Sequence, residues 1–299
     1  MQTFKLNNGA TIPAIAYGAG TAWFKFGQDQ IDTKLVDTLK LAIKKGFTHI
    51  DGAEIYGTSG EIGEAIQLVP RDQLFITSKY NTGDSLYTIR SAYENPYQSL
   101  VKELENKFKT PYVDLYLLHS PYIKKSFHGV SLVEAWQNLE KLVEDGYAKT
   151  IGVSNFKVED IQEILDSNPK IKPAVNQIEF NAYLQEQTPG IVKYCQEHDI
   201  LVEAYSPLGP LSKGKPGPID DYVEKLSGKY HKAEEQILLK WTLQQGILPI
   251  TLSTKEERIG KFLDIFDFEL TNEEIKQISE LGKQKTLRQY WTKEYGHYK

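Results

Sequence analysis

A single cysteine, Cys195, among 299 residues excludes an internal disulfide and suits a reducing compartment. Its setting, Ile191-Val-Lys-Tyr-Cys-Gln-Glu-His, reads as the buried side of a helix. No apolar run is long enough to cross a bilayer, and Met1-Gln-Thr-Phe-Lys-Leu-Asn-Asn-Gly has neither the apolar core of a secretory signal nor an Arg-rich amphipathic pattern. The expectation is a cytoplasmic protein with no membrane partner. Lys and Arg are scattered along a chain of net charge -5, so no basic stripe exists to neutralise a nucleic-acid backbone. No Gly-x-Gly-x-x-Gly turn follows the first strand-like segment, which argues against an open dinucleotide-binding sheet. His119 has no histidine or cysteine at ligand spacing, so no metal site is expected.

What the chain does contain is ordinary for a soluble globular protein: 40% hydrophobic and 25% charged residues exclude disordered and fibrous architectures. Thr3-Phe-Lys-Leu and Thr11-Ile-Pro-Ala-Ile flank Asn7-Asn8-Gly9, a composition suited to a tight turn, so the chain begins with a short hairpin. Strands are expected at Ile15 to Gly18, Phe47 to Asp51, Leu74 to Ser78, Val113 to Leu118, Thr150 to Ser154, Ala174 to Glu179, Leu201 to Tyr205 and Ile247 to Ile250. Helical spacing lies between them: Leu35 to Lys45, Gly60 to Leu68, Pro96 to Phe108, Leu132 to Asp145, Val158 to Ser167, Pro189 to Glu197, Ala233 to Gln245 and Glu256 to Leu263. Eight strand–helix units with apolar strands favour a single (β/α)8 barrel domain over residues 1–299, its N-terminal hairpin closing the bottom. Asn81 to Asn95, Pro121 to Gly129 and Pro207 to Asp220 are candidate pocket loops, extended at the C-terminal face.

The most informative phrase is Gly46-Phe-Thr-His-Ile-Asp51-Gly-Ala-Glu-Ile-Tyr56-Gly57, an apolar run that ends on an acid with a phenol five residues later. The device recurs, because Lys79, His119, Asn155, Gln177 and Tyr205 also fall at strand ends, where a barrel carries its active site. Asp51, Tyr56, Lys79 and His119 suit carbonyl reduction. A phenol is a poor acid at neutral pH, but an adjacent ammonium stabilises its phenolate, and a carboxylate keeps that ammonium charged and oriented. Tyr56 would donate the proton and His119 would hydrogen-bond the substrate oxygen.

These phrases, together with Phe75-Ile-Thr-Ser-Lys79, Leu117-Leu-His119-Ser-Pro121, Ile151-Gly-Val-Ser-Asn-Phe156, Val175-Asn-Gln-Ile-Glu179, Ala204-Tyr-Ser-Pro-Leu-Gly209 and Glu257-Arg-Ile259, resemble the aldo-keto reductase family from the hairpin to the last helix. The resemblance implies a catalytic tetrad of Asp51, Tyr56, Lys79 and His119, with hydride transfer from a nicotinamide and no metal. It assigns Ser154, Asn155 and Gln177 to the nicotinamide carboxamide, Tyr205 to stacking under the ring, and Thr21, Ala22, Ser206, Pro207, Leu208 and Gly209 to the rest of the cofactor. Ser253, Thr254, Lys255 and Arg258 offer two hydroxyls and two cations to a 2'-phosphate, so NADPH is expected over NADH. The chain departs from the family pattern at Leu252, where a lysine is common, at Phe262, where an adenine-binding asparagine is usual, and at Gly52, which is expected to alter packing only.

Aromatic residues on loops and ends, Trp23, Phe24, Tyr80, Tyr122, Tyr290 and Trp291, suit a pocket for flat or cyclic carbonyls, with Trp23, Tyr80, Tyr122 and Trp291 as candidate substrate contacts. Trp136 and Trp241 fall inside helices and read as core. Ala53-Glu-Ile-Tyr, His119-Ser-Pro-Tyr122, Gln187-Thr-Pro-Gly190 and Tyr290-Trp are similar to a yeast branch of the family, the conjugated polyketone or ketopantoyl lactone reductases, which implies cyclic vicinal diketones as substrates. An aldose-type reductase and a non-catalytic NADPH-sensing barrel are the competing readings. A monomer acting on a small-molecule carbonyl is expected.

Overall fold

The computed structural model describes residues 2–25, 27–28 and 30–298. Its first strands, β1 (Thr3–Lys5) and β2 (Thr11–Pro13), pair antiparallel as a hairpin. Gly9 takes φ +85° in the turn, a conformation that glycine adopts without steric cost, and its N–H donates to the Leu6 carbonyl at 3.0 Å. Then follow β3 (Ala16–Gly18), β4 (His49–Asp51), β5 (Phe75–Tyr80), β6 (Val113–Leu118), β7 (Ala148–Ser154), β8 (Val175–Glu179), β9 (Leu201–Tyr205) and β10 (Leu248–Thr251). These are parallel and close into a barrel in chain order, with β10 pairing back onto β3.

Every residue of β6 is buried, as expected where side chains of one face fill the barrel and those of the other meet the helices. Ala16, Leu115, Leu117, Val175, Leu248 and Ile250 pack together with Leu6 and Ile12 of the hairpin region. The hairpin thus plugs the end of the barrel where the strands begin. Asn7 donates from Nδ2 to the Pro173 carbonyl at 2.8 Å, just before β8, and Asn8 donates to Thr150 Oγ1 at 3.1 Å, early in β7.

The outer layer contains the expected helices, with Trp136, Trp241 and Cys195 fully buried. Helices Asp220–Tyr230 and Asn272–Gly282 and the short turns Lys125–His128, Gly209–Ser212 and Thr292–Tyr295 were not expected from the sequence. In Asp220–Tyr230 only Val223 and Leu226 are buried, too few apolar positions to mark a helical period. Asn272–Gly282 did carry a signal. Thr271 and Glu274 form a capping box, each side chain accepting from the other's backbone N–H. Among the described residues, no helix is long and apolar enough to cross a membrane.

Gly152 of β7 shows how tightly the interior is filled. A Cβ there would lie 2.6 Å from the Val175 carbonyl oxygen and 2.9 Å from Leu117 Cδ2. Gly152→Ala is expected to destabilise the fold by about 1–3 kcal/mol through overpacking. Urea unfolding checks this, and an unchanged midpoint would contradict it.

Candidate active site

β4 delivers Asp51 to the mouth of the barrel, where its carbonyl accepts from Ala19 N at 2.8 Å. The chain then turns through Gly52, where a Cβ would lie 2.5 Å from the terminal methyl of Ile62. A 3-10 turn over Glu54–Tyr56 ends at Gly57, φ +71°, and brings Tyr56 back toward the barrel. Glu54 anchors the turn by accepting from Ser99 Oγ at 2.9 Å and Asn81 N at 3.1 Å. Gly20 passes so close that a Cβ would approach Tyr56 Cε2 to 2.7 Å.

Lys79, fully buried on β5, donates to both oxygens of Asp51 at 2.8 and 2.9 Å and to the Gly52 carbonyl at 2.8 Å, which satisfies all three ammonium protons. Its ammonium lies 5.2 Å from the centre of the Tyr56 ring. The His119 ring meets that of Tyr56 edge-on, with centroids 5.7 Å apart. Burial would push the Lys79 ammonium down, but Asp51, Tyr56 and Glu203 together raise it above its ordinary value. Burial raises the Tyr56 phenol, with Lys79 pulling it down and Asp51 pushing it up. His119 is pushed down to about 3 by burial and by the Lys79 charge, so its imidazole is neutral at physiological pH.

Beside this cluster opens a cavity of about 440 Å³, within the range of small-molecule sites. Of the residues singled out in the sequence, Thr21, Asp51, Tyr56, Gln177, Tyr205 and Arg258 line it, as does the turn Ser206, Pro207, Leu208 and Gly209. Leu252 and Phe262 supply apolar wall where the family pattern has polar groups. Gln177 donates from Nε2 to Asp51 Oδ1 at 2.9 Å and to Glu203 Oε2 at 2.7 Å, which leaves its carbonyl oxygen as an acceptor.

Other singled-out residues lie outside the lining. Ser154 donates to the backbone carbonyl of Gln177 at 2.8 Å. Asn155, in left-handed backbone at φ +60°, donates to the His119 carbonyl at 2.9 Å and accepts from the Tyr205 hydroxyl at 2.8 Å. Both brace residues of the site. Ala22 follows Thr21 in a 3-10 turn that ends at the buried Trp23, whose Nε1 has no partner among the described residues. Ser253 is buried and accepts from Lys255 N at 3.0 Å, while Thr254 and Lys255 are exposed. Tyr122 and Trp291 stack with centroids 5.8 Å apart. Tyr80 is placed away from the cavity, packed in the outer layer.

Lys213, Glu235 and Gln289 also line the cavity, and Glu203 lies beside Gln177 in the neighbouring strand; the sequence singles out none of the four. Glu235 pairs with Arg258 at 3.3 Å. Only Glu203 carried a local signal, a charge at the centre of an otherwise apolar strand.

A sequence profile described as the aldo/keto reductase family matches residues 15–283. The chain is 49% identical over 308 residues to an NADPH-dependent alpha-keto amide reductase of Saccharomyces cerevisiae, covering 99% of this chain and 96% of the relative. It is 39% identical to an NAD/NADP-dependent indole-3-acetaldehyde reductase of Schizosaccharomyces pombe, covering 94% of this chain and 96% of the relative. Among solved structures, a Bombyx mori aldo-keto reductase in complex with NADP superposes with a TM-score of 0.81 at 32% identity, covering 98% of this chain and 97% of that one.

Because the folded-state value for His119 lies near 3, below the ordinary 6.5, its ring is expected to stay neutral as pH falls through the usual histidine range. An NMR titration of the His119 ring should show no protonation step between about pH 8 and about pH 5. A midpoint near the ordinary value would contradict the site's electrostatics.

Proposed function

The chain belongs to the aldo/keto reductase family, NADPH-dependent oxidoreductases of carbonyl groups, and we propose that it reduces ketones bearing a second carbonyl on the adjacent carbon. The observation that carries this reading is the cavity in which Asp51 and Tyr56 meet, backed by the buried Lys79 and flanked by a neutral His119.

The cavity suits a dinucleotide along its length. At the Tyr56 end, the free carbonyl oxygen of Gln177 matches a carboxamide N–H, and Tyr205 offers a ring face. The turn Ser206–Gly209 and Arg258 line the same cavity. Arg258, with Lys255, Ser253 and Thr254 in the adjoining segment, suits a 2'-phosphate, which would compete with Glu235 for the guanidinium. Bound there, NADPH supplies the hydride.

The remaining work falls to the chain. Tyr56 gives its proton to the carbonyl oxygen, and Lys79 stabilises the phenolate left behind. Asp51 keeps Lys79 charged and pointed at the ring. His119, neutral, donates a hydrogen bond to the same oxygen and orients the carbonyl.

An alpha-keto amide and a cyclic vicinal diketone share one property, an electron-poor ketone that accepts hydride readily. The relative from Saccharomyces cerevisiae supports the first class, and Tyr290, which lines the cavity, together with Phe24, whose ring lies 6.1 Å from that of Tyr56, favours planar molecules of either class over sugars.

NADPH oxidation is expected with an alpha-keto amide, isatin and ketopantoyl lactone, with higher kcat/KM than for xylose and with NADPH preferred to NADH. Tyr56→Phe should lower kcat by roughly 10²–10⁴-fold, the usual share of a general acid, while NADPH binding followed by fluorescence persists. Turnover of aldoses as efficient as that of the dicarbonyls would favour the sugar reading. Binding without turnover in the unmodified chain would favour a sensing role.

A further inference from the structure

A second carboxyl lies beneath the site. Glu203 stands at the centre of β9 between Val202 and Ala204, with its side chain fully buried. In register it faces Gln177 of β8 on one side and Leu248 of β10 on the other. Its Oε2 accepts from Gln177 Nε2 at 2.7 Å, whereas its Oε1 is buried with no partner among the described residues. The same Gln177 nitrogen donates to Asp51 Oδ1 at 2.9 Å, and Asp51 in turn accepts from Lys79. Glu203, Gln177, Asp51 and Lys79 therefore form one continuous buried row across the barrel.

The charged groups that act on Glu203 are Asp51 from β4 and Lys79 from β5, while Gln177 approaches from β8 and the aligned β10 residue, Leu248, is apolar. An ionised carboxylate with an unpaired oxygen is costly in such surroundings, and a second negative charge beside Asp51 is unfavourable. We propose that Glu203 is a positioning residue of the carbonyl reduction: held as a neutral acid, it shares with Asp51 the task of fixing the Gln177 amide nitrogen inward and its carbonyl oxygen toward the cofactor. The inference rests on the proposed reductase reading. It adds a residue that touches neither substrate nor cofactor and acts only through Gln177 and through the charge balance around Lys79.

Burial, reinforced by Asp51, pushes the Glu203 carboxyl up to about 8, with Gln177 and Lys79 pulling the other way. Below that pH the row carries the Asp51 and Lys79 charges alone. Above it, an added anion makes the Tyr56 phenolate harder to form, so reduction slows as Glu203 ionises.

The direct test is an NMR titration of the full chain labelled with carbon-13 at the glutamate carboxyls, recorded without cofactor or substrate and assigned by comparison with Glu203→Gln and Glu203→Asp. One glutamate resonance absent from Glu203→Gln is expected to titrate near 8. A Glu203 midpoint near the ordinary glutamate value, about 4.3, would overturn the inference. In a second arm, kcat for an alpha-keto amide should fall in the unmodified chain as pH rises through that midpoint, and Glu203→Gln should abolish this alkaline fall. An identical alkaline fall in both proteins would also overturn it. Glu203→Leu, which cannot accept from Gln177, should weaken NADPH binding by roughly tenfold, the effect of about one lost hydrogen bond. Failure of the unmodified chain to turn over any carbonyl would count against the reductase reading, whereas the Glu203 midpoint is read independently of turnover.

Discussion

The buried ion pair between Lys79 and Asp51 is the constraint around which the rest of the site is organised. An ammonium with no exposure to water must have all three protons satisfied, and here two go to one carboxylate and one to the Gly52 carbonyl. That requirement fixes β4 beside β5, sets the path of the chain as it leaves Asp51, and so determines where the turn can return Tyr56. Such a pair is weak evidence for stability, because desolvating two charges consumes most of what their attraction provides. Its presence in the barrel is better explained by what a fixed positive charge does to a phenol 5.2 Å away.

The same charge governs its neighbours. It pulls down Tyr56 against the effect of burial, and it helps hold His119 neutral, so the two groups next to the cavity are both uncharged proton donors at neutral pH. Asp51 links this cluster to Gln177, which also accounts for the orientation of an amide at the cavity wall. Ser154 and Asn155 brace the arrangement by binding the backbone of Gln177 and His119 and the Tyr205 hydroxyl.

Much of this was legible in the sequence because parallel strands announce themselves as apolar runs and their ends carry the polar residues. The (β/α)8 order, the hairpin and the meeting of Asp51, Tyr56, Lys79 and His119 all follow from that pattern. Tyr80, a candidate substrate contact in the sequence, does not line the cavity beside Tyr56. Adjacent strand residues point to opposite faces, so a Lys79 directed into the barrel sends Tyr80 outward among the helices. Helix Asp220–Tyr230 escaped notice because only two of its residues are buried. Lys213, Glu235 and Gln289 come from separate segments, and only the folded chain brings them to one cavity.

The central question is whether Asp51 and Lys79 act on Tyr56 as one unit. A double-mutant cycle on kcat with NADPH and an alpha-keto amide, using Asp51→Asn, Lys79→Met and the double variant, measures this most directly. If the pair is a unit, Lys79→Met alone should cost nearly as much as the double variant, because Asp51 acts on the phenol through the ammonium. Independent, multiplicative losses would contradict the claim and return Asp51 to a purely structural role.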